Sequence, residues 1–253
     1  MSLVAIDPGL LLPAFAAGLL VLASHVLLGG EVLRRGIIFI DLAIAQFAGL
    51  GIVIASALGF EVGNWRMQVS AVTAALGGAL LLRALERRAP QRLEALIGVA
   101  FVTAACAAIV IMSHDPHAGE HLQELLVGQI LWTTWGDLGP LALVTATVLA
   151  AWFGLRLRHS PLGFYLLFAL TVTASVQVVG VYLVFASLIV PALATYRPNR
   201  RRTFYAFVIG IAGYALGLLL SAWLDLPSGA TVVWAMAASG VIAAWMLNPR
   251  KAG

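Results

Sequence analysis

Charged side chains are scarce in this sequence, and their scarcity excludes most soluble proteins. Only 10% of the 253 residues are charged, whereas 62% are hydrophobic. An ordinary soluble domain has about a quarter of its residues charged. Because no stretch is polar enough to form a soluble domain, we expect residues 1–253 to form a single membrane domain with an all-α fold.

Cysteine and the common nucleotide motifs are also nearly absent. Cys106 is the single cysteine, so the chain cannot form an internal disulfide, and we interpret Cys106 as a small hydrophobe in an apolar segment. The sequence contains no GxxxxGK[ST] phosphate loop, no GxGxxG, no GxSxG elbow and no HExxH. The chain is therefore not expected to be an enzyme, and any ATP hydrolysis is expected on another chain.

Long apolar runs, in contrast, fill the sequence. Crossing a bilayer takes about 20 apolar residues, and the candidate spans are 9–29, 37–58, 67–85, 95–112, 138–155, 162–178, 181–196, 204–224 and 230–247. The first run follows MSLVAIDPG, which lacks the basic residues of a secretory signal, so it is expected to be a retained span. The division at Gly180 rests on length and on the glycine, and one kinked helix over 162–196 is the alternative.

Residues 113–137 fit no clean span. They begin polar, become apolar and end at a Trp-rich segment, which predicts an outer loop followed by a re-entrant or interfacial helix. The predicted fold is a polytopic transmembrane helical bundle of about 8–9 spans plus that helix.

The basic residues lie between the apolar runs rather than in one patch, so nucleic acid is not an expected partner. If the amino terminus faces outward, all of the 15 basic residues except Arg66 fall in inward loops. Lys and Arg resist translocation, and this bias predicts a multi-pass protein of the inner or plasma membrane with an outside N-terminus, a cytoplasmic C-terminus and an odd number of spans.

Polar residues inside the predicted spans are candidates for function. An acid in the membrane centre costs about 2.5–3.5 kcal/mol on insertion scales, so it is usually paired or functional. Counted by helical rise from Arg34 and Arg35, His25 stands about 13 Å and Asp41 about 9 Å into the membrane. The two can form a hydrogen-bonded pair, a proton relay or part of a cation site, and a polar pair that fixes helix register is the alternative. Gln46 lies on another face, about 140° around the helix from Asp41.

The predicted outer loop is rich in imidazole and carboxylate groups. His114, His117, Glu120 and His121 have spacings that place side chains on one face if the segment is helical. Such groups suit zinc and similar ions. The loop is therefore a candidate for transient metal contact, and a solvated acid-rich loop is the alternative.

Four segments, in order along the chain, carry the patterns of a known family. They are RRGIIFIDLAIAQFAGLG at 34–51, LEALIG at 93–98, LLVGQIL at 125–131 and VVGVYLVFASLIVPALAT at 178–195. In these segments the sequence resembles the permease subunits of bacterial zinc and manganese ABC importers, in a divergent branch with a DLALAQ-like second helix. The resemblance implies a homodimer of permeases, separate cytoplasmic ATPases, an extracytoplasmic protein that delivers the metal ion, and no permanently bound cofactor.

The resemblance also implies roles for individual residues. Asp41 matches an acid of the second helix that faces the translocation path in the family. Better-known members have a His four residues later, where this chain has Ala45 followed by Gln46, and a His in the first helix of the divergent branch implies that His25 takes that role. Members usually place a cytoplasmic helix of several turns before the VVG segment. Here residues 156–163 replace it, so this loop or residues 86–94 are expected to dock the ATPase, unless coupling differs in this branch.

Three functions follow from these observations. The first is an ABC permease that imports a divalent transition-metal ion, zinc or manganese. The second is an ATP-independent, proton-coupled carrier or channel for a small polar solute, in which His25 and Asp41 relay protons. The third is a membrane scaffold without transport, which requires that the buried polar residues tolerate apolar replacement. Copurification with an ATPase separates the first from the second.

Overall fold

The fold is built from helices alone in the part of the chain that the structure describes. The computed structural model describes residues 8–60, 65–112, 130–155, 160–196 and 201–247. Within these ranges no strand occurs, and the predicted all-α class is confirmed. The helices are α1 (Pro8–Arg35), α2 (Ile40–Ala57), α3 (Trp65–Arg88), α4 (Leu93–Ile111), α5 (Trp135–Phe153), α6 (Pro161–Val179), α7 (Val181–Ala194), α8 (Arg202–Leu224) and α9 (Ser228–Leu247).

All of these helices except α7 are long and apolar enough to cross a membrane, which gives eight candidate spans within the described ranges. α7 has 14 residues. At 1.5 Å per residue it covers about 21 Å, less than a hydrocarbon core of about 30 Å. The prediction of 8–9 spans is confirmed, with α7 as the short member. Most of the predicted interfacial helix lies outside the described residues, and its last part forms a 3₁₀ turn at Ile130–Trp132.

Gly180 divides the apolar run between α6 and α7. Its φ of 80° and ψ of 162° belong to a region that glycine occupies readily and other residues rarely adopt. The Gly180 N–H still donates to the Val176 carbonyl, at 2.9 Å, and the Gly180 carbonyl accepts from Val184 N–H, at 3.1 Å. One residue therefore ends one helix and begins the next, which confirms the predicted division at this position.

The centre of the bundle is formed by α1, α2, α6 and α7. α6 packs against α1, α2, α3 and α5, and most of its residues are buried, whereas few residues of α4 are buried. α4 and α9 lie at the outside and expose large apolar side chains such as Val102 and Trp234. An apolar outer surface suits a helix bundle that lipid surrounds.

Small residues bring the helices close together where no hydrophobic drive between spans exists. A Cβ at Gly213 would lie 2.7 Å from the Met236 backbone of α9, and Gly217 approaches Val232 in the same way. Between α2 and α3, the Ser70 hydroxyl donates to the Gly51 carbonyl at 2.7 Å. These contacts fix the spacing of neighbouring helices.

A tight turn reverses the chain between α1 and α2. Gly36 has φ of 68°, its N–H donates to the Leu33 carbonyl, and the Ile37 N–H donates to the Val32 carbonyl. This is the pattern of a Schellman motif, which needs a left-handed residue just after the helix. Arg34 and Arg35 occupy the last turn of α1, where positive charge favours the helix dipole.

We predict that Gly36→Ala destabilises the protein by about 1–2 kcal/mol, because an L side chain is strained at this left-handed position. The change in the free energy of unfolding is measured by unfolding both proteins in detergent with heat or denaturant. Gly49→Ala is the matched control, since Gly49 lies within α2 and a Cβ there meets nothing within 4 Å. An equal effect of both substitutions would contradict the account of the turn.

Ion pairs join α1 to α3 at one end of the bundle, and a cation–π contact joins α1 to α6. We call this the arginine end: it is where α1 and α3 end and where α2 and α4 begin. Glu31 contacts Arg35 at 2.7 Å, and Arg35 lies 3.9 Å from Glu86 of α3, which also pairs with Arg83. The Arg35 guanidinium lies 4.3 Å from the centre of the Phe164 ring of α6. Charged side chains therefore hold α1, α3 and α6 together at the end of the bundle that contains Asp41.

Candidate functional site

Asp41 lies in the first turn of α2, directly after the Schellman turn. The turn and Phe39 place it at the arginine end, where the partial positive charge of the helix N-terminus favours a carboxylate. The residue is 1% exposed, and among the described residues neither carboxylate oxygen has a hydrogen-bond partner. The helix terminus is thus the favourable electrostatic partner that the fold itself supplies.

A buried carboxylate without hydrogen bonds is costly. Buried charges in proteins are normally paired, or they coordinate a cation. The helix dipole contributes only about 0.3–1 kcal/mol in ordinary settings, less than the insertion cost of an acid. Asp41 therefore has unused capacity to accept hydrogen bonds or to bind a cation, and packing alone does not explain an acidic side chain at this place.

His25 lies in the middle of α1 and is completely buried. Its Nδ1 is 3.3 Å from the Ser24 hydroxyl, which also lies 3.2 Å from the Val21 carbonyl. Nε2 has no hydrogen-bond partner within the described ranges. The imidazole is thus held at one nitrogen and has the other free to bind a proton or a metal ion.

The structure does not join His25 to Asp41. No hydrogen bond or ion pair links the two in the described part of the chain. The sequence-based count of about 9 Å for Asp41 is wrong, because residues 36–39 form a turn and α2 begins only at Ile40. His25 lies ten residues before the end of α1, about 15 Å along the helix, whereas Asp41 is the second residue of α2, so the two residues lie at different distances from the arginine end.

The remaining predicted site residues are less informative. Gln46 is half-buried in α2. His114, His117, Glu120 and His121 lie outside the described residues. Among the residues that are described, no group of three or more His, Cys, Asp or Glu is arranged to hold a metal ion. A closed structural metal site is thus not found there, whereas a transported ion needs only weak and transient ligands.

Several buried polar groups escaped the sequence analysis. Within the described ranges the Tyr165 hydroxyl and the Thr173 hydroxyl, both on α6, have no hydrogen-bond partner. One carboxylate oxygen of Glu94 also lacks a partner there. Counted from the contact of Arg35 with Phe164, Thr173 lies about 14 Å along α6, close to the level of His25. In the sequence Tyr165 and Thr173 are visible only as hydroxyl groups inside an apolar run. Such a hydroxyl is weak evidence for a site, because most of them donate to a carbonyl of their own helix.

Thr171 and Ser187 show that ordinary pattern. The Thr171 hydroxyl donates to the Leu167 carbonyl at 2.8 Å. The Ser187 hydroxyl bonds to the Leu183 carbonyl and also lies 2.9 Å from the buried Tyr214 hydroxyl, which links α7 to α8. These groups are satisfied within the bundle, so they are not candidates for the site.

Comparison with known proteins identifies one family for most of the chain. The family model described as the ABC 3 transport family matches residues 8–156 and 141–247. The manganese transport system membrane protein MntC of Halalkalibacterium halodurans is 26% identical over 261 residues, which cover 94% of this chain and 87% of that protein. The probable iron transport system membrane protein of Haemophilus influenzae is 30% identical over 146 residues, 49% of this chain and 54% of that protein.

A solved structure has a similar fold. It is described as PsaBC from Streptococcus pneumoniae in complex with Fab. The TM-score is 0.71 at 20% identity, over 96% of this chain and 92% of that chain. At this identity the similarity shows a shared arrangement of helices.

Proposed function

Because this chain belongs to the ABC 3 transport family, we propose that it is the membrane-spanning permease subunit of an importer for a divalent transition-metal ion. The family match covers nearly the full chain, and we treat residues 1–253 as a single permease domain. The family assignment favours this function over an ATP-independent carrier and over a scaffold.

The burial of the Asp41 carboxylate is the observation that supports the proposal most directly. Its carboxylate is buried at the start of α2, without a hydrogen-bond partner in the described chain. Carboxylate oxygens bind manganese and zinc ions. One acid with the weak field of a helix terminus gives an ion a favourable contact, and the lack of a complete ligand cage leaves it able to depart.

His25 is the second proposed ligand, with Gln46 as a further polar group along α2. A neutral imidazole is a common ligand of transition metals. Because His25 lies about 15 Å along α1 from its end and Asp41 lies at the beginning of α2, the two act at successive levels rather than at one site. The names of the relatives support a metal cargo, and zinc and manganese are the proposed ions.

The arginine end is proposed to face the cytoplasm. Arg34, Arg35, Arg83, Arg87 and Arg88 lie at the ends of α1 and α3, and basic residues favour the cytoplasmic side. The N-terminus then lies outside. Nine crossings, with the short α7 counted as one of them, then place the C-terminus inside.

The transporter is proposed to include partner chains. Two copies of the permease, cytoplasmic ATPases and an extracytoplasmic metal-binding protein form the complete importer. The outer residues His114, His117, Glu120 and His121 are proposed to meet the delivery protein. The ATPases are proposed to dock at the arginine end, where the connection between α3 and α4 exposes Gln91 and Arg92.

The proposal is tested by transport with the complete assembly. Proteoliposomes that contain the permease, its ATPase and its binding protein should accumulate ⁶⁵Zn or ⁵⁴Mn only when ATP is present. An ATPase variant that binds but does not hydrolyse ATP is the control. Equal accumulation by the permease alone, without nucleotide, would favour the carrier and contradict the proposal.

A further inference from the structure

Glu94 connects α4 to the beginning of α2. It lies in the first turn of α4, within the LEALIG segment, and its carboxylate accepts a hydrogen bond from the Phe39 N–H at 3.4 Å. Phe39 precedes α2 and supplies no side-chain cap to that helix. Glu94 thus does from another helix what the N3 Glu or Gln of a capping box does locally, because it accepts from the N–H of the N-cap residue.

The second oxygen of Glu94 is buried and has no hydrogen-bond partner within the described ranges. A buried acceptor left unpaired costs about 1–3 kcal/mol. An uncharged residue could fill the same space between α2 and α4 without placing a negative charge there. The negative charge has a use at this place, since the N-terminus of α2 carries a partial positive charge.

Phe39 links the same point to a third helix. Its ring stacks on the Phe185 ring of α7, with centroids 6.2 Å apart and planes 7° apart. Asp41 follows two residues later in the chain. The Phe39 N–H is thus hydrogen-bonded to α4 and its side chain is stacked on α7, so Phe39 joins the beginning of α4 and α7 to the turn of α2 that contains Asp41.

The segment that precedes Glu94 in the chain lies at the surface. A 3₁₀ turn at Pro90–Arg92 runs directly into α4, and Arg87, Arg88 and Gln91 nearby are exposed. This connection lies at the arginine end, where the ATPases are proposed to dock. A force applied there acts on the first turn of α4 and therefore on Glu94.

We propose that Glu94 is a positioning residue that sets the place of Asp41 and transmits movement of the α3–α4 connection to it. This inference rests on the proposed function. Glu94 does not itself contact the ion. It fixes the first turn of α2 through the Phe39 N–H, so that the Asp41 carboxylate is presented to the ion in one conformation and withdrawn in another.

Metal uptake by the complete transporter, measured over a range of metal concentrations, tests the inference. Glu94→Ala should raise the apparent KM for zinc or manganese about tenfold, as expected from loss of a hydrogen bond to a charged group, while the ATPase remains bound. Glu94→Gln keeps an acceptor oxygen and should restore most of the affinity. Asp137→Ala is the matched control, since Asp137 also accepts a hydrogen bond from the N–H that precedes a helix, that of Thr134, but belongs to that same helix, α5.

The outcomes separate this inference from the function on which it rests. A wild-type transporter without ATP-dependent uptake would overturn both. If the wild-type transporter is active and Glu94→Ala has an unchanged KM, the positioning role alone is overturned. A lower maximal rate with an unchanged KM has the same meaning, because loss of a purely structural residue only reduces the number of active complexes. If Glu94→Ala fails to assemble, Glu94→Asp decides. Its carboxylate is one methylene group further from the Phe39 N–H, so the role requires a KM above wild type, and a wild-type KM would overturn it.

Discussion

Asp41→Asn is expected to abolish metal uptake without destabilising the permease. The amide has the same shape but lacks the negative charge that binds a cation, and loss of even a second-shell partner of a metal costs about 10–100-fold. We therefore expect a loss of about 100-fold or more in uptake of zinc or manganese. The unfolding midpoint should stay equal or rise, since Asp41 is buried without hydrogen-bond partners in the described chain.

Asp137→Asn is the matched control for this experiment. Asp137 begins α5, is exposed, and accepts a hydrogen bond from the Thr134 N–H at 2.8 Å. Its substitution should weaken the start of that helix by about 1 kcal/mol and leave uptake near wild type. Normal uptake by Asp41→Asn, or a large loss of stability, would mean that Asp41 holds the bundle together and does not act on the ion.

Gly29→Ala is expected to have the largest effect on stability. A Cβ at Gly29 would overlap the Leu188 carbonyl oxygen and lie 2.9 Å from its carbonyl carbon, where α1 crosses α7. The contact is with backbone, so no rotamer change relieves it and the two helices must separate. We expect a loss of about 3 kcal/mol in the free energy of unfolding, at the upper end of the usual cost of overpacking.

Gly77→Ala is the control for Gly29→Ala. Gly77 lies within α3, and a Cβ there meets nothing within 4 Å. Alanine favours a helix over glycine by about 1 kcal/mol, so this variant should be neutral or more stable. Unfolding of both variants in the same detergent measures the difference, and equal stabilities would show that α1 and α7 do not approach as closely as described.

The helices of this fold could be predicted from the sequence because the bilayer imposes a simple length and composition on each span. The break at Gly180 was also accessible, since a glycine in a long apolar run marks a place where the backbone can change direction. The shortness of α7 was accessible too, since the apolar run that follows Gly180 ends at Tyr196, before Arg197, and leaves room only for a short helix.

The site was harder to predict than the fold. Asp41 was evident as an acid near the membrane, but its place at a helix start depends on the left-handed Gly36 and on the two hydrogen bonds of the turn. The pairing with His25 assumed continuous helical rise through that turn. Glu94 was noted only as part of a motif, since its bond to Phe39 joins residues that are far apart in sequence.

The measurement that tests the central claim most directly is the accessibility of position 41 to thiol reagents. Cys106 is the only cysteine, so Asp41→Cys in a Cys106→Ala background carries one reactive group. In the assembled transporter, a membrane-impermeant reagent should label the introduced thiol at a rate that changes with ATP and that zinc or manganese slows. Absence of labelling in every nucleotide state, or labelling only by a lipid-soluble reagent with no protection by metal, would contradict a place for Asp41 on the ion path.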